Sequence, residues 1–207
     1  MQQSSLFEYP HSAHSHNILP RNGFVSYLPR VLTELECAHF MSQLKTSLEW
    51  ESDQLIIFGK KLTTRRKFAW VGDAQCTYTY SGVKKNPQAW VPELQPLKTL
   101  AEELAQSELN SCLLNFYHDG NDGMGWHSDD EKELDQHSSI VSLSLGAERK
   151  FTFRHKADKT TIPIYLENGS ALIMRSPTQE YWQHALPKTK TVSTPRMNLT
   201  FRKILVP

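Results

Sequence analysis

What most limits the folds open to this chain is a series of short apolar runs rich in β-branched and aromatic residues, over 113–117, 140–145, 150–154, 170–175 and 197–204. Runs this short suit strands better than helices, which need ten or more residues to bury a stripe. Between two of them, Glu167-Asn-Gly-Ser170 carries the turn dipeptide Asn-Gly, whose residues tolerate the positive φ of a tight reversal. Many short strands joined by glycine-rich connections predict a two-sheet barrel or jelly roll.

Helical periodicity shows in only two places. Thr33-Glu-Leu-Glu36 is a capping box, and Leu35, Ala38, Met41, Leu44 and Leu48 follow at helical spacing, which predicts a helix over 34–48. Pro92 opens a second helix with Leu94, Leu97, Ala101 and Leu104 on its buried stripe. Both are expected to brace the outer sheet, in an α+β, mainly β domain spanning 23–207. Residues 1–22, with His11, His14 and His16 among polar neighbours, hold too few apolar groups to fold alone and read as a flexible tail.

A net charge of +1 excludes coating of nucleic acid by bulk electrostatics, so a polyanion must be met by a local patch. The three cysteines, Cys37, Cys76 and Cys112, lack metal-site or disulfide spacing and fit a reducing interior. No leader-like segment or membrane-length apolar run occurs, which predicts a soluble, unsecreted protein, cytoplasmic if bacterial and nuclear if eukaryotic. A monomer with no membrane partner is expected.

The chemistry concentrates in the glycine-rich stretch from Tyr117 to Glu131. His127 and Asp129 stand at i and i+2, so both turn to one side of an extended chain, and His184 lies far downstream. Two imidazoles and one carboxylate can occupy one face of an Fe(II) octahedron and leave the other positions open. A His-x-Asp triplet alone is weak; Asn115-Phe-Tyr117 upstream and the alternating Arg196, Asn198, Thr200 and Arg202 downstream make the ordered set specific.

Taken with Phe58-Gly-Lys60, Thr77-Tyr-Thr-Tyr-Ser-Gly82, Phe151-Thr-Phe-Arg-His-Lys156, His184-Ala-Leu-Pro187 and Pro195 to Ile204, these motifs resemble the AlkB family of Fe(II)- and 2-oxoglutarate-dependent nucleic-acid dealkylases, above all its animal-type branch acting on duplex DNA. The likeness runs from about Ile56 to Ile204. It implies a double-stranded β-helix with an N-terminal nucleotide-recognition lid, the lid and DNA-contacting loops falling within about 54–86. It implies Fe(II) on His127, Asp129 and His184, and 2-oxoglutarate and O2 as cosubstrates. Arg196 would hold the far carboxylate of 2-oxoglutarate by a planar bidentate contact, with Asn115, Tyr117, Asn198, Thr200 and Arg202 completing that pocket.

The substrate implied is alkylated DNA, duplex or single-stranded, carrying 1-methyladenine or 3-methylcytosine. Such a base must leave the stack to reach a metal. Tyr80, with Tyr78 on the same strand face and Ser81 beside it, would hold it against His127, and Asp130 and Glu131 would read its edge. Phe58 would fill the gap left in the duplex. Lys60, Lys61, Arg65, Arg66 and Lys67, a basic run expected on a loop, would meet phosphates. Methylated RNA or a protein remain alternative substrates, since stacking platforms serve single-stranded RNA as well; a non-catalytic jelly roll has no use for the full ligand set.

Overall fold

The computed structural model describes residues 16–57, 60–80 and 83–206, with backbone alone at 53–57, 60–62, 78–80 and 83–85. In chain order the elements are β1 (Phe24–Leu28), α1 (Glu34–Ser47), β2 (Glu51–Ile57), β3 (Lys60–Gly72), β4 (Tyr78–Tyr80), β5 (Val83–Lys85), α2 (Gln95–Ala105), β6 (Ser111–Tyr117), β7 (Met124–His127), β8 (Ile140–Gly146), β9 (Arg149–His155), β10 (Thr161–Leu166), β11 (Ala171–Arg175), α3 (Thr178–Tyr181), β12 (Trp182–Leu186) and β13 (Arg196–Arg202). One seven-stranded sheet has the order β1-β11-β8-β13-β6-β3-β2, a second runs β10-β9-β12-β7, and β4 pairs with β5 alone. The two larger sheets make the expected jelly-roll sandwich.

Alternation along the central strands positions the site. On β13, Met197, Leu199 and Phe201 join Cys112, Leu114 and Phe116 of β6 and Val141, Leu143 and Leu145 of β8 in a core covered by α1 and α2. The intervening Arg196, Asn198 and Thr200 stand opposite Tyr117, Asn115 and Leu113, and opposite Gly146, Ser144 and Ser142. Period two therefore turns every polar residue of β13 away from the helices and toward the second sheet. A separate apolar cluster that includes Val25, Ile140 and Leu172 from the first sheet and Phe153 and Trp182 from the second joins the two sheets.

Both helices form where predicted, and the Thr33–Glu36 capping box is complete. The buried stripe of α1 is rotated, however: Cys37 and Leu44 are buried while Leu35 is 84% exposed. The Glu167–Ser170 turn forms with Gly169 at φ +76, where a Cβ would meet the Leu32 carbonyl. It carries the chain from β10 in one sheet to β11 in the other, so it is a crossover and not a hairpin. The end of the segment expected as a tail packs on the domain: Leu19 is buried, Asn17 donates to the Gly23 carbonyl, and the Trp182 indole donates to the Arg21 carbonyl. His11 and His14 lie outside the described residues. The basic run is not on a loop but on β3, a strand paired with β2 and β6.

Cys37, Cys76 and Cys112 are free and buried. Among the described residues no helix is long and apolar enough to cross a membrane.

Candidate metal centre

His127 closes β7 and His184 sits mid-way along β12, directly opposite it in register. Their Nε2 atoms lie 3.1 Å apart. His127 Nδ1 is 2.8 Å from the Gly125 carbonyl, which can only accept, so Nδ1 carries the proton and Nε2 presents a lone pair. Phe151 stacks on the His184 ring and Phe153 meets it edge-on, fixing its plane by packing. Burial lowers the His184 pKa to about 4, against the raising influence of Asp129, so the imidazole is neutral and available as a ligand at physiological pH.

Asp129 follows β7 by two residues and brings a carboxylate oxygen to 3.9 Å from His127 Nε2. The ligand atoms of His127, Asp129 and His184 all lie within 4.8 Å of one another. Burial works to protonate Asp129, but the charge and hydrogen bond of Arg202 outweigh it and hold the carboxyl below its ordinary range. Arg202 donates to Oδ1 at 2.8 Å, and the Asp129 amide donates to Gln179 Oε1 at 3.0 Å. Two imidazoles meeting at their Nε2 atoms and an ionised, tethered carboxylate converging on one point are the donor set that Fe(II) takes in the facial triad.

The interior polar face of β13 leads away from this point. Arg196 is 1% exposed, donates to Ser144 Oγ at 2.8 Å and to Asn198 Oδ1 at 3.1 Å, and lies 5.8 Å from the Tyr117 ring centroid. Asn198 continues the chain by accepting from Ser142 and donating to Thr200. No carboxylate pairs with Arg196 among the described residues, and its Nε has no partner there. A buried guanidinium without an acid is costly unless an anion completes it. Burial also raises the Tyr117 pKa, despite Arg196, Arg66 and Arg149 nearby, so the phenol remains a proton donor.

A family model described as the 2OG-Fe(II) oxygenase superfamily matches residues 24–202. The chain belongs to that superfamily. Within it, the chain is 40% identical over 182 residues to the human protein named DNA oxidative demethylase ALKBH2, an alignment covering 83% of this chain and 70% of that one. The mouse protein of the same name is 45% identical over 157 residues, covering 72% and 66%. Mouse alpha-ketoglutarate-dependent dioxygenase alkB homolog 3 is 38% identical over 178 residues, covering 82% and 62%. The branch is therefore the AlkB family, and the chain spans roughly two thirds of the length of these relatives. The solved structure of OsALKBH1 superposes with a TM-score of 0.60 over 89% of this chain and 100% of that one; at 19% identity it shares the fold.

This AlkB-family oxygenase thus takes Fe(II), 2-oxoglutarate and O2 as its cofactor set. The structure brings Asn115, Tyr117, Arg196, Asn198 and Thr200 onto one interior face, as expected. Arg202 lies at the far end of the same row and is already engaged by Asp129, with Glu131 Oε1 at 3.9 Å from Nη1. It touches the metal ligand from the same row that the resemblance assigns to the cosubstrate.

The substrate residues divide. Asp130 is exposed at the mouth with Lys156 Nζ 3.4 Å away. It borders a cleft of about 410 Å³ whose wall also includes Asp129, Gln179 and Arg202. Tyr78 and Tyr80 stand at i and i+2 on β4, as a strand requires for a shared face; their side chains, and Phe58 and Ser81 entirely, lie outside the described residues. Arg66 departs from expectation. Strand alternation leaves Arg65 and Lys67 exposed but turns Arg66 inward, where it is 8% exposed and hydrogen-bonds Asn115 Oδ1. It cannot meet phosphates from there without leaving that partner. Sequence reasoning missed Gln179 and Ser144 and gave Phe151 of the quoted motif no role, though these touch the ligands or the Arg196 corner; a glutamine in a short helical turn carries no signal of the amide it will accept from.

Proposed function

We propose that this oxygenase demethylates N-alkylated bases in DNA, with 1-methyladenine and 3-methylcytosine as substrates, releasing formaldehyde and succinate. The observation that carries this reading is the pairing of a His127–Asp129–His184 ligand set with a buried Arg196 that has no acidic partner among the described residues. The name that similar human, cow and mouse proteins carry, DNA oxidative demethylase, supports the substrate class.

Bound at the triad, Fe(II) with 2-oxoglutarate and O2 supplies hydroxylation of an N-methyl group, the second oxygen atom and the lost CO2 accounting for succinate. The protein's own residues do the rest. Arg196 fixes the far carboxylate of the cosubstrate, and the neutral Tyr117 phenol donates beside it. Arg202 keeps Asp129 ionised and oriented. The N-hydroxymethyl product loses formaldehyde readily because the cationic alkylated ring becomes a neutral base. Tyr80 and the His127 ring hold the extruded base, and a cationic base favours an aromatic face. Asp130 accepts from its exocyclic amine, and Phe58 fills the vacated stack in a duplex. The hairpin β4–β5 serves as the nucleotide-recognition lid. The enzyme acts as a monomer.

Mass spectrometry of a DNA oligomer with one 1-methyladenine, incubated with protein, Fe(II), ascorbate and O2, tests this. Loss of one methyl only with 2-oxoglutarate, and not in His127→Ala, is the expected result. Turnover of 2-oxoglutarate to succinate without demethylation of DNA, but with demethylation of the matched RNA oligomer, would move the substrate to RNA.

A further inference from the structure

Arg149 opens β9 and is 2% exposed, and among the described residues none of its hydrogen bonds goes to a side chain. Nη1 donates to the Asp119 carbonyl at 3.2 Å; Nη2 donates to the Asp122 carbonyl at 2.9 Å and to the Pro187 carbonyl at 2.8 Å. Asp119 and Asp122 belong to the segment that enters β7 and ends at His127. Pro187 is the first residue after β12, which carries His184. One buried cation therefore ties together the chain entering one iron histidine and the chain leaving the other.

The two segments also touch backbone to backbone. The Gly120 amide donates to the Val192 carbonyl, and the Thr189 amide donates to the Gly120 carbonyl, both at 2.8 Å. A Cβ at Gly120 would stand 2.3 Å from the Thr189 carbonyl oxygen, and one at Gly123 would stand 2.6 Å from the Leu186 carbonyl oxygen. Beside this seam the β7–β12 pairing shifts register between His184 and Leu186. Strand pairing thus weakens at the place where the histidines' separation is set. Three carbonyls gathered by one fork of donors replace it.

We propose that Arg149 is a positioning residue that sets the spacing of His127 and His184 by clamping these two segments, without touching either histidine. The inference rests on the reading of His127, Asp129 and His184 as the metal site. The chemistry requires a fork: a lysine keeps the charge but cannot reach three carbonyls in fixed directions.

The test is calorimetric titration of Co(II) into the metal-free full chain. Arg149→Lys and Arg149→Gln are expected to weaken Co(II) binding by about tenfold or more, the range for groups that orient metal ligands, and to change the visible spectrum of bound Co(II). Leu143→Ala, a cavity in the helix-covered core, is the control: it lowers Tm but leaves Co(II) affinity at the parent value. If neither variant at 149 folds, Gly123→Ala opens the same seam and is expected to weaken Co(II) similarly. Parent affinity in folded Arg149→Lys, or in Gly123→Ala, overturns the clamp, as does equal loss in Leu143→Ala. Co(II) binding unchanged by His127→Ala would instead overturn the metal-site reading, and the clamp with it.

Discussion

Replacing Arg196 by methionine should stabilise the empty protein while destroying its hold on 2-oxoglutarate. Burial pulls the Arg196 pKa well below the ordinary guanidinium range, to about 10, with Tyr117 opposing and Arg149 adding to the shift. At about 1.4 kcal/mol per tenfold, keeping that cation inside costs the fold about 3 kcal/mol. Its bonds to Ser144 and Asn198 return about 1 kcal/mol each. The neutral, similarly long methionine removes both terms and leaves about 1 kcal/mol net, or a rise of about 2–4 °C in Tm for a chain of this size. Binding moves the other way. Leaving a cosubstrate carboxylate buried without its guanidinium costs about 3 kcal/mol, at the low end for a broken buried pair, or roughly a hundredfold in Kd. The assays are thermal melting of the metal-free protein and calorimetry of 2-oxoglutarate into Mn(II)-loaded protein. With saturating cosubstrate the order of melting should reverse, since ligand at about 100 times Kd adds about 2.7 kcal/mol to the parent alone. An Arg196→Met protein that melts well below the parent and binds 2-oxoglutarate within threefold of it would refute the reasoning and make Arg196 a structural residue.

Three further outcomes are expected. The metal-free protein should lose stability as pH falls from about 6.5 towards 4, because the buried His184, with a pKa of about 4, takes up its proton later than the unfolded chain does; the loss is about 3 kcal/mol at most, and chemical denaturation of His184→Asn across that window should show a flatter profile. Arg202→Met should weaken Mn(II) binding about tenfold to a hundredfold and make it more acid-sensitive, because Arg202 is the main charge opposing the effect of burial on Asp129; affinity measured against pH reads both. Phe58→Ala should lose activity on duplex substrate while retaining much of it on single strands, and equal loss on both would remove the wedge from the duplex reading.

The helices and the metal ligands were legible because each depends on local pattern: a capping box, a proline start, and an i, i+2 pair with a downstream histidine. The alternation in β13 was legible for the same reason, and it predicts both faces of that strand correctly. What escaped depends on a neighbour distant in sequence. Leu35 has the right spacing for the stripe of α1 but lies in its first turn, where the stripe has rotated out to solvent. Lys60 to Lys67 reads as a solvated loop because charge dominates the segment, yet β6 pairs along Lys67–Gly72 and holds the chain extended. Once extended, period two must send every second side chain inward, and Arg66 is the one that goes.

Arg66, Arg149 and Arg196 share that history: each is a cation whose burial is decided by strands far away in sequence, and each influences the Tyr117 phenol. Among them only Arg196 belonged to a pattern that turned it inward; Arg66 was part of a basic run expected at the surface, and Arg149 belonged to none. An interior holding several guanidinium groups is unfavourable as a store of stability, which argues that its polar side is retained for what it binds. The apolar rows of β6, β8 and β13, covered by α1 and α2, are what let the opposite faces of the same strands remain charged. This division also makes the stabilising effect expected of Arg196→Met a test of the whole arrangement: the core under the helices should be indifferent to losing a charge that serves only the other face.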